Sequence, residues 1–214
     1  MQHCIIYSLL ILIGCTNSNT GSNHDVQARI DEMEKMAFSK ARLDPDSSLL
    51  LYQKLIDAYK PSGMRSKTAL AYLNRSNIYD EVLADYELAK INADQSLDVW
   101  TEINDSLQMA NLLKYIGYLE SKLGNFESGK QLIEKAIEFY TLLQNDNGFA
   151  VSHFNMARLE SARENYKLAE YYYLLSLNHW KNVGNQSRIS ITQEFGKELE
   201  GKLRDFNNVD TLNE

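Results

Sequence analysis

The chain has 214 residues, 44% of them hydrophobic and 24% charged, which suits a folded body and is too apolar for a disordered one. The formal charge is −7 and no block of lysine or arginine stands out, so nucleic acid, which needs a clustered basic face, is not an expected partner. Its only prolines are Pro45 and Pro61; the rest is open to long uninterrupted helices.

The N-terminus reads as an address. Residues 5–13, IIYSLLILI, carry no charge and precede Gly14 and Cys15. A membrane-spanning helix needs about 20 apolar residues, whereas a signal-peptide core needs roughly 7–15. Both cysteines, Cys4 and Cys15, fall here, so a mature body without them can form no disulfide. The run LIGC resembles the bacterial lipoprotein box, although MQH supplies no lysine or arginine ahead of it. That resemblance implies a signal peptide over 1–14, cleavage before Cys15, and lipidation of Cys15. Two or three acyl chains would anchor stably where one holds marginally. Thr16, where bacterial sorting usually reads aspartate as inner-membrane retention, implies the outer membrane, with the periplasmic face as the expected side. Residues 16–25, TNSNTGSNHD, contain no hydrophobic side chain and are expected to form, with Cys15, a tether over 15–25 reaching about 33–36 Å when stretched.

The body repeats. ADYELAKINADQSLDVW (84–100), GNFESGKQLIEKAIEFY (124–140) and ENYKLAEYYYLLSLNHW (164–180) share an aromatic and, three places on, a small residue: Tyr86 and Ala89, Phe126 and Gly129, Tyr166 and Ala169. Ser48, in DPDSSLLLYQKLIDAY, opens the same series. Seven or eight residues beyond lies a second matched pair: Leu55 and Ile56, Ser96 and Leu97, Ala136 and Ile137, Ser176 and Leu177. Upstream, AYLNRSNIY (71–79), LLKYIGYLE (112–120) and SHFNMARLE (152–160) align Ser76, Gly117 and Ala157 in one column, and Ile78, Leu119 and Leu159 in another. Two helices cross closely only where small residues meet and larger ones flank them.

These residues resemble the tetratricopeptide repeat (TPR) in a variant of about 40 residues, over roughly 29–189; NRSNIY…DYELA is close to its common form. The resemblance implies an all-α fold: a right-handed α-solenoid of about four helical hairpins over 26–206, with repeats near 29–68, 69–109, 110–149 and 150–189. Departures are Pro45 in place of the first aromatic, one residue inserted between Tyr79 and Asp85, and Glu120 and Glu160 where the family usually has tyrosine. In ISITQEFGKELEGKLRDF (189–206), Ile191, Phe195, Leu199 and Leu203 recur every fourth residue, as a capping helix with one apolar stripe requires. Residues 207–214 are expected to trail as a polar tail.

In the family the first helix of each hairpin lines a concave groove. By that resemblance the groove residues are Asn74 and Asn77 (beside Leu73), Asn111, Lys114 and Tyr118 (beside Tyr115), and Asn155 and Arg158 (beside Val151 and Phe154). Amides can bond a peptide backbone, and Lys or Arg can grip a carboxylate. Asn77, Lys114 and Arg158 partly resemble the carboxylate clamp of chaperone-binding members, with Leu73 and Phe154 where that clamp has basic residues; an ordinary solvated groove is the competing reading. Tyr171, Tyr172, Tyr173, Trp100 and Trp180 read as packing between repeats rather than a ligand box, Tyr173 as core. His153 and His179 have no histidine or cysteine at metal-ligand spacing, and Glu120 and Glu160 recur by register. No phosphate loop or nucleophile–base motif occurs. The expectation is therefore a non-catalytic adaptor with no metal and no small-molecule cofactor, binding another protein or peptide segment and the membrane through its anchor. The rival readings are a subunit of an outer-membrane barrel or pilus assembly complex, a sensory module acting through a separate output protein, and an enzyme for cell-wall polymers.

Overall fold

The computed structural model describes residues 21–210, with side chains over 25–206. The lipidation at Cys15, the signal peptide and residues 15–20 of the tether lie outside the described residues. Among those described there are nine α-helices and no strand: α1 Gly21–Lys40, α2 Pro45–Tyr59, α3 Arg65–Glu81, α4 Tyr86–Ile103, α5 Ser106–Lys122, α6 Phe126–Leu142, α7 Asp146–Ala162, α8 Tyr166–Val183 and α9 Gln186–Asp210. The fold is all-α. Each helix packs on the next in the chain, and α5 also meets α7, so the hairpins α1–α2, α3–α4, α5–α6 and α7–α8 stack in order with α9 at the end. No described helix is long and apolar enough to cross a membrane.

Three boundaries differ from the sequence expectation. Helix α1 starts at Gly21, so 21–25 are helical and not tether; α9 runs to Asp210, so 207–210 are helical and not tail. The paired helices begin four residues ahead of the expected repeat starts at 69, 110 and 150, at Arg65, Ser106 and Asp146. Each of these helices is thus about one turn longer at its start than expected.

Small residues set the crossing within each hairpin. Ser76 and Ala89, Gly117 and Gly129, and Ala157 and Ala169 are buried pairs, as are Ala37 and Ser48. A Cβ on Gly117 would stand 2.7 Å from the Gly129 carbonyl oxygen, and one on Gly129 equally close to that of Gly117. The helix backbones therefore touch. Where serine replaces alanine its hydroxyl donates to the facing carbonyl: Ser76 to Ala89 at 2.7 Å, Ser48 to Ala37. A second contact uses the other small column, with Ser96 donating to Ala69 and Ser176 to Ala150, each at 2.8 Å, while Ala136 and Ala110 meet without a hydroxyl. Leu55 and Ile56 hold that place in the first hairpin and fill it with bulk.

Aromatic residues Tyr86, Phe126 and Tyr166 are the first residues of α4, α6 and α8, and Pro45 is the first of α2. Proline suits that position because its missing N–H has no partner there and its φ is already helical. Asp44 caps α2 by accepting from the Ser47 N–H. The bond to Ser47 and the Lys40 ammonium hold its carboxyl at about 2. At the turns of the third and fourth hairpins, Glu120 and Glu160 accept from the Asn125 and Asn165 side chains at 2.8 Å. These glutamates close their own turns, which explains their recurrence. The insertion before Asp85 is absorbed in a longer turn, where the Asp85 N–H reaches back to Tyr79 rather than five residues.

The final helix is rotated relative to the expected stripe. Ile189, Thr192, Gly196 and Leu199 are buried, whereas Ile191 is 46% exposed. Gly196 sits under the Tyr173 ring, which a Cβ would meet at 2.5 Å; Tyr173 is accordingly half-buried rather than fully core. Trp100 and Trp180 are buried packing residues.

The repeat is also written in the backbone. Left-handed residues occur at Gly63, Ala84, Asn104, Gly124, Gln144, Glu164 and Gly184, 21 residues apart at the first step and 20 thereafter, each past a helix end where such a cap satisfies the last carbonyls. Only three of the seven are glycine. A side chain in this region costs about 1–2 kcal/mol, partly offset by the greater unfolded-state freedom of glycine. Ala84→Gly, Gln144→Gly and Glu164→Gly are each expected to stabilise the fold by about 0.5–1 kcal/mol, and Gly124→Ala to destabilise it similarly, read as shifts in the urea unfolding midpoint.

Candidate functional site

Each odd-numbered helix uses one side for its own hairpin and another for the preceding one. On α3, Ser76 faces α4 while Ala71, Tyr72 and Ile78 pack towards α2. The remaining side carries Asn74 and Asn77 on α3, Asn111, Lys114, Tyr118 and Lys122 on α5, and Phe154, Asn155 and Arg158 on α7. All are half-buried except Lys122 and Arg158, which are exposed. The helices share this wall through side-chain contacts. Tyr115 donates to Asp80 at 3.1 Å, joining α5 to α3. The Arg158 guanidinium lies 5.1 Å from the centre of the Tyr118 ring, joining α7 to α5. Phe154 meets Phe195 edge-on at 5.4 Å, joining α7 to α9.

The expected site residues are placed in different ways. Tyr118 and Arg158 come together, with Lys122 adding a second cation 5.6 Å from the Tyr118 ring centre; Arg158 also lies 6.0 Å from the Phe154 ring. Asn111 is committed elsewhere, because its carbonyl accepts from the Tyr140 hydroxyl at 2.8 Å and so helps to close its own hairpin. Asn74, Asn77 and Asn155 stand on the wall half-buried. Lys114 lies 5.8 Å from the centre of the Tyr140 ring. Burial, with repulsion from Arg188, lowers its ammonium to about 8. Leu73 packs into the core cluster shared with α4 and α5, together with Tyr115.

Sequence reasoning missed Lys122, Asp80 and Arg188. Lys122 could have been found, since it lies one helical turn beyond Tyr118. Asp80 and Arg188 enter only through the stacking of helices. Burial pushes the Asp80 carboxyl above its ordinary range, while Tyr115, Lys122 and Arg158 oppose the shift. Among the described residues no group of three or more His, Cys, Asp or Glu side chains is placed to hold a metal ion.

Two histidines lie away from this wall. His153 and His179 stack at 5.6 Å between ring centres, flanked by Phe149 and Tyr172. His153 takes the register place that Leu113 fills one repeat earlier, and its buried Nδ1 has no hydrogen-bond partner among the described residues. Burial first, then the neighbouring His179, lower its pKa to about 4. The unfolded chain, with histidine near 6.5, therefore binds a proton that the folded one refuses between these values. The stabilising effect of the neutral ring is complete above about pH 6.5 and is lost as pH falls towards 4. Unfolding free energy is expected to drop by roughly 2–3 kcal/mol over that window from this residue, and His153→Leu to flatten that part of the pH profile in urea titrations.

No known protein family matches the chain, and no curated protein is similar to it. Among solved structures it is similar to the crystal structure of BtubC (BKLC) from P. vanneervenii, at 12% identity and a TM-score of 0.50, covering 88% of this chain and 93% of that one. That likeness extends to the fold alone.

Proposed function

We propose that this chain is a non-catalytic interaction scaffold of the tetratricopeptide type, whose wall of odd-numbered helices forms a groove holding a segment of another protein. The observation that carries the reading is the meeting of α5 and α7 side chains around Tyr118, with Lys122 and Arg158 set against its ring. Aromatic surface and charged or amide groups drawn from separate repeats suit an extended polypeptide, which offers both apolar side chains and backbone polar groups. The residues there are half-buried or exposed, so a partner would cover surface that the hairpins themselves leave open. In this reading Cys15 carries lipid and holds the scaffold at the outer membrane, facing the periplasm, where tethering raises the effective concentration of its partner.

A photoreactive residue at Tyr118, installed in the full chain and activated in cells, is expected to crosslink a protein segment, and one at Tyr171 on the exposed side of α8 is expected not to. Capture only by the Tyr171 probe would sink the groove assignment. Cys15→Ser is expected to abolish acyl labelling and release the protein from the membrane fraction; unchanged labelling and retention would refute the anchor.

A further inference from the structure

The wall carries unneutralised positive charge in a chain of net charge −7. Lys114, Lys122, Arg158 and Arg188 lie over the rings of Tyr140, Tyr118 with Tyr86, Tyr118 with Phe154, and Trp180 respectively. None has a carboxylate within ion-pair distance among the described residues. By contrast Lys90 and Lys130, on even-numbered helices, and Arg163, at a turn, are all ion-paired. A cation over a ring keeps its charge available, because the ring attracts it weakly and neutralises nothing.

These cations form two centres on one line. Lys114 and Lys122 lie eight residues apart on α5, a rise of about 12 Å, with Tyr118 midway on the same face. Arg188 is near enough to Lys114 to depress its proton affinity, and Arg158 shares the Tyr118 ring with Lys122. The second centre already feels Asp80, whereas no acid offsets the first. An extended chain advances about 3.3 Å per residue with alternate side chains on one face. Residues i, i+2 and i+4 therefore match Lys114, Tyr118 and Lys122 almost one to one.

We infer that the occupant of this wall is an extended internal segment with two acidic side chains four positions apart and an uncharged residue midway, the acids facing Lys114 and Lys122. The inference rests on the groove reading above. A single terminal carboxylate could reach only one of two centres set about 12 Å apart, which is why an internal pair is favoured.

The test uses the soluble part of the full chain after Cys15 and two fluorescent, C-terminally amidated peptides of identical composition. One carries glutamates four positions apart, the other carries them side by side. Anisotropy titration is expected to show the spaced peptide binding about tenfold more tightly. Lys114→Met and Lys122→Met should each erase the preference while keeping the helical circular-dichroism signal, and Lys90→Met should leave it intact. Equal affinity for the two peptides, no binding of either, or an unchanged preference in Lys114→Met would overturn the inference. So would equally tight binding of a short single-stranded oligonucleotide, which would mark a general polyanion surface. If the peptides fail while the Tyr118 probe captures a protein segment, only the acidic pairing falls; if that probe captures nothing, the groove reading falls with it.

Discussion

Everything in this molecule follows from two helices touching backbone to backbone. At Gly117 and Gly129 there is no room for a single carbon between them, and elsewhere alanine or a serine hydroxyl fills the same small gap. So close an approach sets Ile133 against Gly117 and Leu159 against Gly129, while elsewhere on α5 Leu112, Ile116 and Leu119 bury against Trp100 and the alanines of α4. The serine bonds matter for a second reason. A hydroxyl buried at such a crossing is tolerated only because a helical carbonyl has a spare lone pair to accept it. Small size and a satisfied proton are both conditions of the contact.

The crossing sets the length of the repeat, and the ends of the stack show what happens when its rule is broken. Helix α9 occupies the place of a first helix in a fifth hairpin, yet Lys197 stands 40 residues after Ala157 and 80 after Gly117. Ser190, Gln193, Lys197 and Glu200 are exposed along the side that would receive a partner helix. A long cation at the crossing column holds off close approach, and the polar surround leaves little apolar area to bury. That composition is what a terminal helix of a repeat array needs to stay in solution. At the other end, Pro45 and the Asp44 cap replace the aromatic start used by the later hairpins.

Pairing and stacking each consume one side of an odd-numbered helix, and the third side is left half-buried or exposed, with Asn111 on it still bonded to Tyr140. There the repeats differ at matched positions, with Leu73, Lys114 and Phe154 at one and Asn77, Tyr118 and Arg158 at another. Lys114 and Arg158 on that side are held over rings, while Lys90 and Lys130 on the even-numbered helices pair with neighbouring carboxylates. The His153 and His179 stack has a different meaning. It replaces aliphatic and aromatic packing of the preceding repeat within the body of the fourth hairpin, and its consequence is acid sensitivity of the fold.

The amino-acid sequence by itself determined the helical class, the 40-residue period and the residues at each crossing, because small side chains at fixed spacing can serve little else. Tyr118 and Arg158 are assigned to one side of the first helices by the resemblance to the tetratricopeptide repeat and not by spacing. The sequence misjudged the ends of α1 and α9, where polar composition masked helix, and on α9 it caught Leu199 but missed Thr192 and Gly196, which do not read as core. Only the tertiary structure decided that Asn111 is tied to Tyr140, that Asp80 and Arg188 join the wall, and that Tyr118 lies between two cations. Those facts depend on how neighbouring helices are placed against one another, and no single helix encodes the distance to the next.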